Sequence, residues 1–174
     1  MSSLDELYSL IKRALPSGGT AGQVLKKLSS ADFAAAWSSG GPAFSAYPSV
    51  NQSGIVAGSF TKVVLGTEEF DTDNCFAGST FTPTVAGYYQ INASVYLSAG
   101  GTQMRCVIYK NGAAYKSGSF FAAVGAASGI STASTLVFMN GTTDTIELYI
   151  NPQATGTVDA TSSLTYLNGV WIRP

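Results

Sequence analysis

The chain of 174 residues contains no histidine and only two cysteines. Without histidine there is no Ser-His-Asp or Cys-His catalysis, and the commonest metal ligand is missing. Cys75 and Cys106 stand in apolar, strand-like contexts and in no zinc or redox spacing; they read as buried free thiols of a protein made in the cytosol. Charge is scarce too. Asp, Glu, Lys and Arg make up 11% of the chain and sum to a net charge of −1, against about a quarter of an ordinary soluble domain. Nine Lys plus Arg supply no basic stripe for phosphate, so no nucleic-acid partner is expected. No apolar run approaches a membrane span, and no membrane insertion is expected. Residues 1–6 carry acids and no apolar run, unlike a secretory signal. The Gly-rich stretches at 18–19 and 98–101 lack the Gly-Lys-Ser/Thr ending of a phosphate loop. No cofactor is expected.

One acidic cluster remains: Glu68, Glu69, Asp71 and Asp73, followed by Asn74. A calcium loop needs several hard oxygens and a downstream bidentate Glu, and this spacing supplies neither a known loop pattern nor that residue. It reads as a solvated acidic loop rather than a metal site. Glycan hydrolysis needs two carboxylates flanking one bond. On a strand, Glu68 and Glu69 point to opposite faces, which speaks against an enzyme.

Hydrophobic residues make up 45% of the chain, spread among Gly, Ser and Thr. Residues 80–97 show why. Tyr89, Ile91, Ala93, Val95 and Leu97 alternate with Tyr88, Gln90, Asn92, Ser94 and Tyr96, the period of a strand with one face in a core. Pro83 and Gly87 punctuate its entry. Further strands are expected at 44–50, 62–65, 68–71, 103–110, 119–124, 131–139, 146–150 and 164–172. Asn111-Gly112 and Asn140-Gly141 are hairpin signals. Short strands with turn signals about every ten residues indicate an all-β sandwich or jelly roll.

The run Phe81-Thr82-Pro83-Thr84-Val85-Ala86-Gly87-Tyr88-Tyr89 resembles the signature of the complement C1q/tumour-necrosis-factor-like jelly roll. The resemblance continues through residues 61–65, Phe70-Asp71, the Lys110-Asn111-Gly112 hairpin, residues 133–150 and the closing segment 162–172. It covers about three quarters of the chain. It implies a homotrimer in which flat sheet faces meet on a threefold axis. The loop between Asp71 and Phe81 and the Thr142-Thr143 insertion depart from the family pattern.

Two segments precede this domain. Residues 1–16 read as an amphipathic helix over 3–15. Ser3 and Glu6 form a capping box, Leu4, Leu7, Ile11 and Leu15 form an apolar stripe, and Pro16 is the stop. Two heptads are too short to be stable alone. The helix therefore serves as anchor or trimeriser, or folds back on its own domain. Residues 17–42 follow as a connector, and the domain proper spans 43–174. Within the connector, Gly18, Gly19, Gly22, Gln23, Val24, Leu25, Lys27, Ser29, Asp32 and Trp37 match a module common in bacteriophage fibre proteins, which this stretch resembles; Phe33 stands where the module has Tyr. Val24, Leu25, Phe33 and Trp37 are its apolar anchors, too few for a core of their own.

Tyr88, Tyr96, Tyr109 and Tyr149 fall on the polar faces of strands. Aromatics there mark an interface, but packing by a second sheet explains the same pattern. Together the resemblances imply a trimeric head fibre or capsid decoration spike of a bacteriophage virion, made in the host cytoplasm. Its N-terminal region meets a capsid or tail protein, and its knob binds a host-surface glycan or protein. A tail-fibre tip, a glycan-degrading fibre enzyme and a cellular adhesion module are the alternatives, in that order.

Overall fold

The computed structural model of the chain describes residues 4–6, 9, 11, 16–20, 23–27, 29–31, 34–38, 40–99, 103–122 and 128–174. They divide into two compact units, Met1–Gly40 and Gly41–Pro174. In the first unit, residues 4–6, 9 and 11 are helical. The connector is not the loose stretch its glycines suggest: β1 (Val24–Lys27) and β2 (Ala35–Ser38) form an antiparallel ladder that sets Leu25 opposite Trp37. Trp37 donates its indole N–H to the Pro16 carbonyl at 2.7 Å. Its ring lies so close to Gly19 that a Cβ there would sit 2.6 Å from ring carbons, which explains a glycine at that position of the motif.

The second unit is a sandwich of two seven-stranded sheets. The first sheet is built on β9 (Gly87–Ser98), the twelve-residue strand expected from the alternation at 88–97. Along one edge of β9 runs β16 (Tyr166–Arg173), followed by β3 (Ala43–Tyr47) and β6 (Thr67–Asp71). β15 (Gly156–Val158) and β4 (Gln52–Ile55) extend from β9 beyond the end of β16. Along the other edge runs β13 (Gly129–Met139), paired with β9 alone among the described residues. The second sheet centres on β14 (Ile146–Pro152) and β10 (Gln103–Lys110). Beside β14 lie β5 (Thr61–Lys62) and β8 (Thr80–Phe81), which pairs with β7 (Phe76–Ala77). Beside β10 lie β11 (Ala113–Ser117) and β12 (Phe121–Ala122).

The core is what alternation requires. Tyr89, Ile91, Ala93, Val95 and Leu97 of β9 are buried against Cys106, Ile108, Ile146, Leu148 and Ile150 of the other sheet. Phe44 of β3 bridges the layers, its ring stacked 4.2 Å from Phe81 and 5.1 Å from Phe76. Tyr89 is buried with its hydroxyl satisfied, donating to the Val85 carbonyl at 2.6 Å. Both cysteines are buried free thiols, and burial pushes the Cys106 thiol up.

Several expectations change. The run 80–97 is two elements: Thr80–Phe81 belongs to the second sheet, and the corner at Pro83 carries the chain across to β9 in the first. The strand expected at 62–65 is only two residues long, and of that expected at 119–124, residues 123–124 lie outside the described residues. Residues 68–71 form the strand expected there, β6 pairing with β3, so of the acidic cluster only Asp73 lies in a turn. Asn111-Gly112 does make a two-residue hairpin, both residues in the left-handed region at φ 53° and 74°. Asn140-Gly141 does not. β13 and β14 belong to different sheets, and the turn between them is shaped by Asn140, whose side-chain oxygen accepts the N–H groups of Thr142, Thr143 and Asp144 at 2.9–3.0 Å. A local signal for a tight reversal was satisfied by a side-chain cap that passes the chain between layers.

Asp144 ties the two turns together. Its carboxylate accepts from Asn111 at 2.8 Å and from the Asn140 N–H at 3.0 Å, and pairs with Lys110 at 3.0 Å. The Asn111 hydrogen bond first, then those from Lys110 and Asn140 and the Lys110 charge, hold its pKa below the usual carboxylate range against the opposing effect of burial. A lowered folded pKa stabilises above the unfolded value of about 3.9 and is lost as pH falls through the folded one. Asp144→Asn is expected to lower stability at pH 7 by about 1–3 kcal/mol. In urea melts the gap to wild type should narrow below pH ~4; a gap that stays constant down to pH ~2 would refute this role for the charge.

Candidate interaction surface

The outward face of the first sheet is set by the same alternation that fills the core. Opposite Tyr88, Gln90, Asn92, Ser94 and Tyr96, β13 places Phe138, Leu136, Ser134, Thr132 and Ile130. On the other side β16 places Val170 beside Gln90, Asn168 beside Asn92 and Tyr166 beside Ser94. The face is therefore banded. At one end Tyr88 and Phe138 meet edge to face at 5.5 Å, with the Arg173 guanidinium 5.7 Å from the Tyr88 ring. Leu136 and Val170 form the next band, 57% and 46% exposed. The middle is polar and hydrogen-bonded to itself: Gln90 donates to Ser134 at 2.8 Å, Ser134 to Asn92 at 2.8 Å, and Asn92 to Asn168 at 3.1 Å.

Beside β16 the face hollows into a groove of about 410 Å³ between β3 and β6, with Phe70, Val170 and Asn168 on its walls. Ser45 donates to the Glu69 carboxylate in it at 2.8 Å. A ridge of Leu136 and Phe138 on one margin and a groove on the other make a surface able to receive a copy of itself. Such a ridge-to-groove contact is heterologous, and it closes into a ring when the rotation permits.

The four tyrosines singled out from sequence are split. Tyr88 and Tyr96 belong to this face; Tyr109 and Tyr149 lie on the outer side of the second sheet. There the two rings stack at 3.8 Å and Phe60 tilts against Tyr109 at 6.0 Å. Burial, then Glu147 and Tyr109, raise the pKa of the Tyr149 hydroxyl. Val107, which alternation also points outward here, is 1% exposed. Lys62 pairs with Glu147 at 2.7 Å and donates to Thr80 at 2.7 Å. The middle of this side is covered, although Phe60 and Phe120 stay 42% and 58% exposed, whereas the first sheet leaves a contiguous aromatic end open. Leu136, Phe138, Val170 and Phe70 were not singled out from sequence, although β13 carries a signal for them: Ile130, Leu136 and Phe138 alternate with Ala133, Val137 and Met139, so the strand is apolar on both faces.

Of the other candidates, Leu4, Ile11, Val24 and Leu25 are exposed, Leu4 by 72%. Leu7, Leu15 and Phe33 lie outside the described residues. The acidic cluster does not converge: Asp71 accepts from the Phe76 N–H at 2.7 Å, while Glu69 is held by Ser45. No group of three potential metal ligands occurs among the described residues, and no described helix is long and apolar enough to cross a membrane.

Among solved structures the chain is similar to murine APRIL, with a TM-score of 0.62 and 14% identity over 76% of this chain and 99% of that one. The globular domain of zebrafish complement 1qA aligns with a TM-score of 0.54 and 16% identity, again over 76% of this chain and 99% of the other. Eiger TNF from S. frugiperda aligns over 76% of this chain and 93% of its own, with a TM-score of 0.53 and 6% identity. No protein-family model matches the sequence, and a search of curated proteins finds no match. The sandwich is thus a C1q/TNF-like jelly roll, as the 81–89 signature implied.

Proposed function

We propose that the chain is a structural and binding component of a bacteriophage virion: a short trimeric head fibre or capsid decoration spike. The observation that carries the trimer is the open face of β9, β13 and β16. Tyr88, Phe138, Leu136 and Val170 stand exposed at one end of a sheet whose other face is fully packed, and an exposed apolar cluster of this kind marks an interface. With 11% charged residues, few side chains oppose burial of that face against sister chains. The phage context is supported by the connector motif, in which Gly19 and Trp37 interlock as a module rather than a random linker. The helical segment, with Leu4 and Ile11 exposed, supplies an anchor to a capsid protein. A helix of about 13 residues spans only ~20 Å, a length suited to a spike standing close to a shell rather than to a fibre tip. The knob binds surface ligands weakly, gaining strength from three copies per spike and many spikes per particle.

Sedimentation equilibrium on the full chain is expected to give three times the 18.0 kDa subunit mass, and antibody-labelled electron microscopy of purified particles is expected to place it on the capsid. Leu4→Asp with Ile11→Asp should leave the trimeric domain soluble and abolish co-sedimentation with particles. Wild-type occupancy in that double variant would move the anchor to the connector or the knob.

A further inference from the structure

At the far end of β10 and β14, in the second sheet, an open cleft of about 210 Å³ is lined by Gly58, Gln103, Phe120, Asn151, Pro152 and Gln153. It is a built feature. The Gln153 N–H donates to the Gln103 carbonyl at 2.8 Å, and the Gly58 N–H donates to the Pro152 carbonyl at 2.7 Å, folding the 56–59 turn against the strand end. Three residues with primary-amide side chains, Gln103, Asn151 and Gln153, thus line one small space. Phe120 forms a wall and is 58% exposed.

Arg105 stands directly across the ladder from Asn151 and two residues from Gln103, on the same side of the sheet. Its guanidinium lies 5.5 Å from the centre of the Phe60 ring. Its Nε is buried without a hydrogen-bond partner, and it forms no ion pair with any described carboxylate. The other nearby cation, Lys62, is already neutralised by Glu147 at 2.7 Å. A guanidinium with no carboxylate partner among the described residues, held over the Phe60 ring, thus belongs to the residue paired across the ladder with Asn151, a residue that lines the cleft.

We propose that this cleft binds an acidic saccharide: a sugar ring against Phe120, its hydroxyls on the amides of Gln103, Asn151 and Gln153, and its anionic group on Arg105. Amides donate and accept in one plane, which suits vicinal hydroxyls. The guanidinium fork matches a carboxylate or a phosphate. The volume is below the roughly 300–1,000 Å³ typical of drug-sized ligands, the scale of a sugar ring rather than a cofactor. The cleft belongs to the sheet opposite the open face of β9, so it stays accessible when that face is covered by sister chains. The proposal rests on the reading of the domain as a binding knob and gives that knob a ligand class.

The test is calorimetric titration of the full-length protein with trigalacturonate, glucose 6-phosphate and maltotriose, which supply a carboxylate, a phosphate and no charge. At least one anionic sugar is expected to bind about tenfold or more tightly than maltotriose, and the better of the two identifies the anion. Arg105→Gln should erase that preference, and Phe120→Ala, at an exposed position, should weaken every sugar. Equal affinities in the wild type, no binding below ~10 mM, or a preference that survives Arg105→Gln would overturn the site. Sedimentation of the same samples separates this outcome from the spike reading. A trimer without preference removes the site alone; a monomer with preference removes the trimer alone.

Discussion

Phe44→Ala is expected to lower the stability of the jelly roll by about 3–5 kcal/mol, with a fall in melting temperature of roughly 10–20 °C. Phe44 is fully buried and stacks on Phe81 and Phe76, which come from the opposite sheet. Truncation therefore opens a cavity between the layers and removes two ring pairs, each contributing about 0.5–1.5 kcal/mol beyond area. A domain of this size has a margin of only about 5–15 kcal/mol, so the variant retains a fraction of it. Phe44→Leu should recover more than half of the loss. Urea melts at several protein concentrations would check this. A loss under about 1 kcal/mol would mean that the two sheets close over the gap, contrary to the packing described.

Leu136→Asp with Phe138→Asp is expected to convert the proposed trimer to soluble monomers, weakening association by more than about 10⁴-fold. Both side chains stand on the outward face of β13, 57% and 47% exposed in the single chain, so the core of the sandwich is untouched and the single chain loses only the Tyr88–Phe138 ring contact. In the trimer each would place an unpaired carboxylate in the seam, at a cost of several kcal/mol per charge. Sedimentation should give the 18.0 kDa subunit with an unchanged circular dichroism spectrum. Tyr115→Asp, on β11 of the other sheet, is the control and should leave the trimer intact. A trimer that persists in the double variant would place its contacts outside the open face of the first sheet.

The core was legible because alternation is a local property: Tyr89, Ile91, Ala93, Val95 and Leu97 had to share a face whatever they met. The Asn111-Gly112 hairpin was legible for the same reason, since its conformation depends on two residues. What failed was pairing. Asn140-Gly141 looked like a second hairpin because residue type records a reversal and not the sheet to which the next strand belongs. Tyr109 and Tyr149 looked like companions of Tyr88 and Tyr96 because a polar face gives no sign of which layer owns it. The amide cleft was invisible for a related reason. Gln103 and Gln153 are fifty positions apart, brought together only by the β10–β14 register. The aromatic end of the open face was half visible, as Tyr88, while Leu136 and Phe138 needed the observation that β13 is apolar on both sides.

β13 also forms a margin of its sheet, eleven residues long and laddered to another strand on one side only among the described residues, with Ser119 bonding both backbone groups of Thr132 and Lys110 the Phe138 carbonyl. Between those contacts such a margin offers backbone N–H and C=O groups to any other strand, with no limit on how many chains add in turn. In the proposed trimer, the seating of Leu136 and Phe138 in the neighbour's groove takes that margin out of circulation after three chains. The subunit thus faces two kinds of assembly, one with a stopping number and one without. The recovery of soluble protein from an overproducing cell becomes a measure of how quickly the counted assembly closes ahead of the uncounted one.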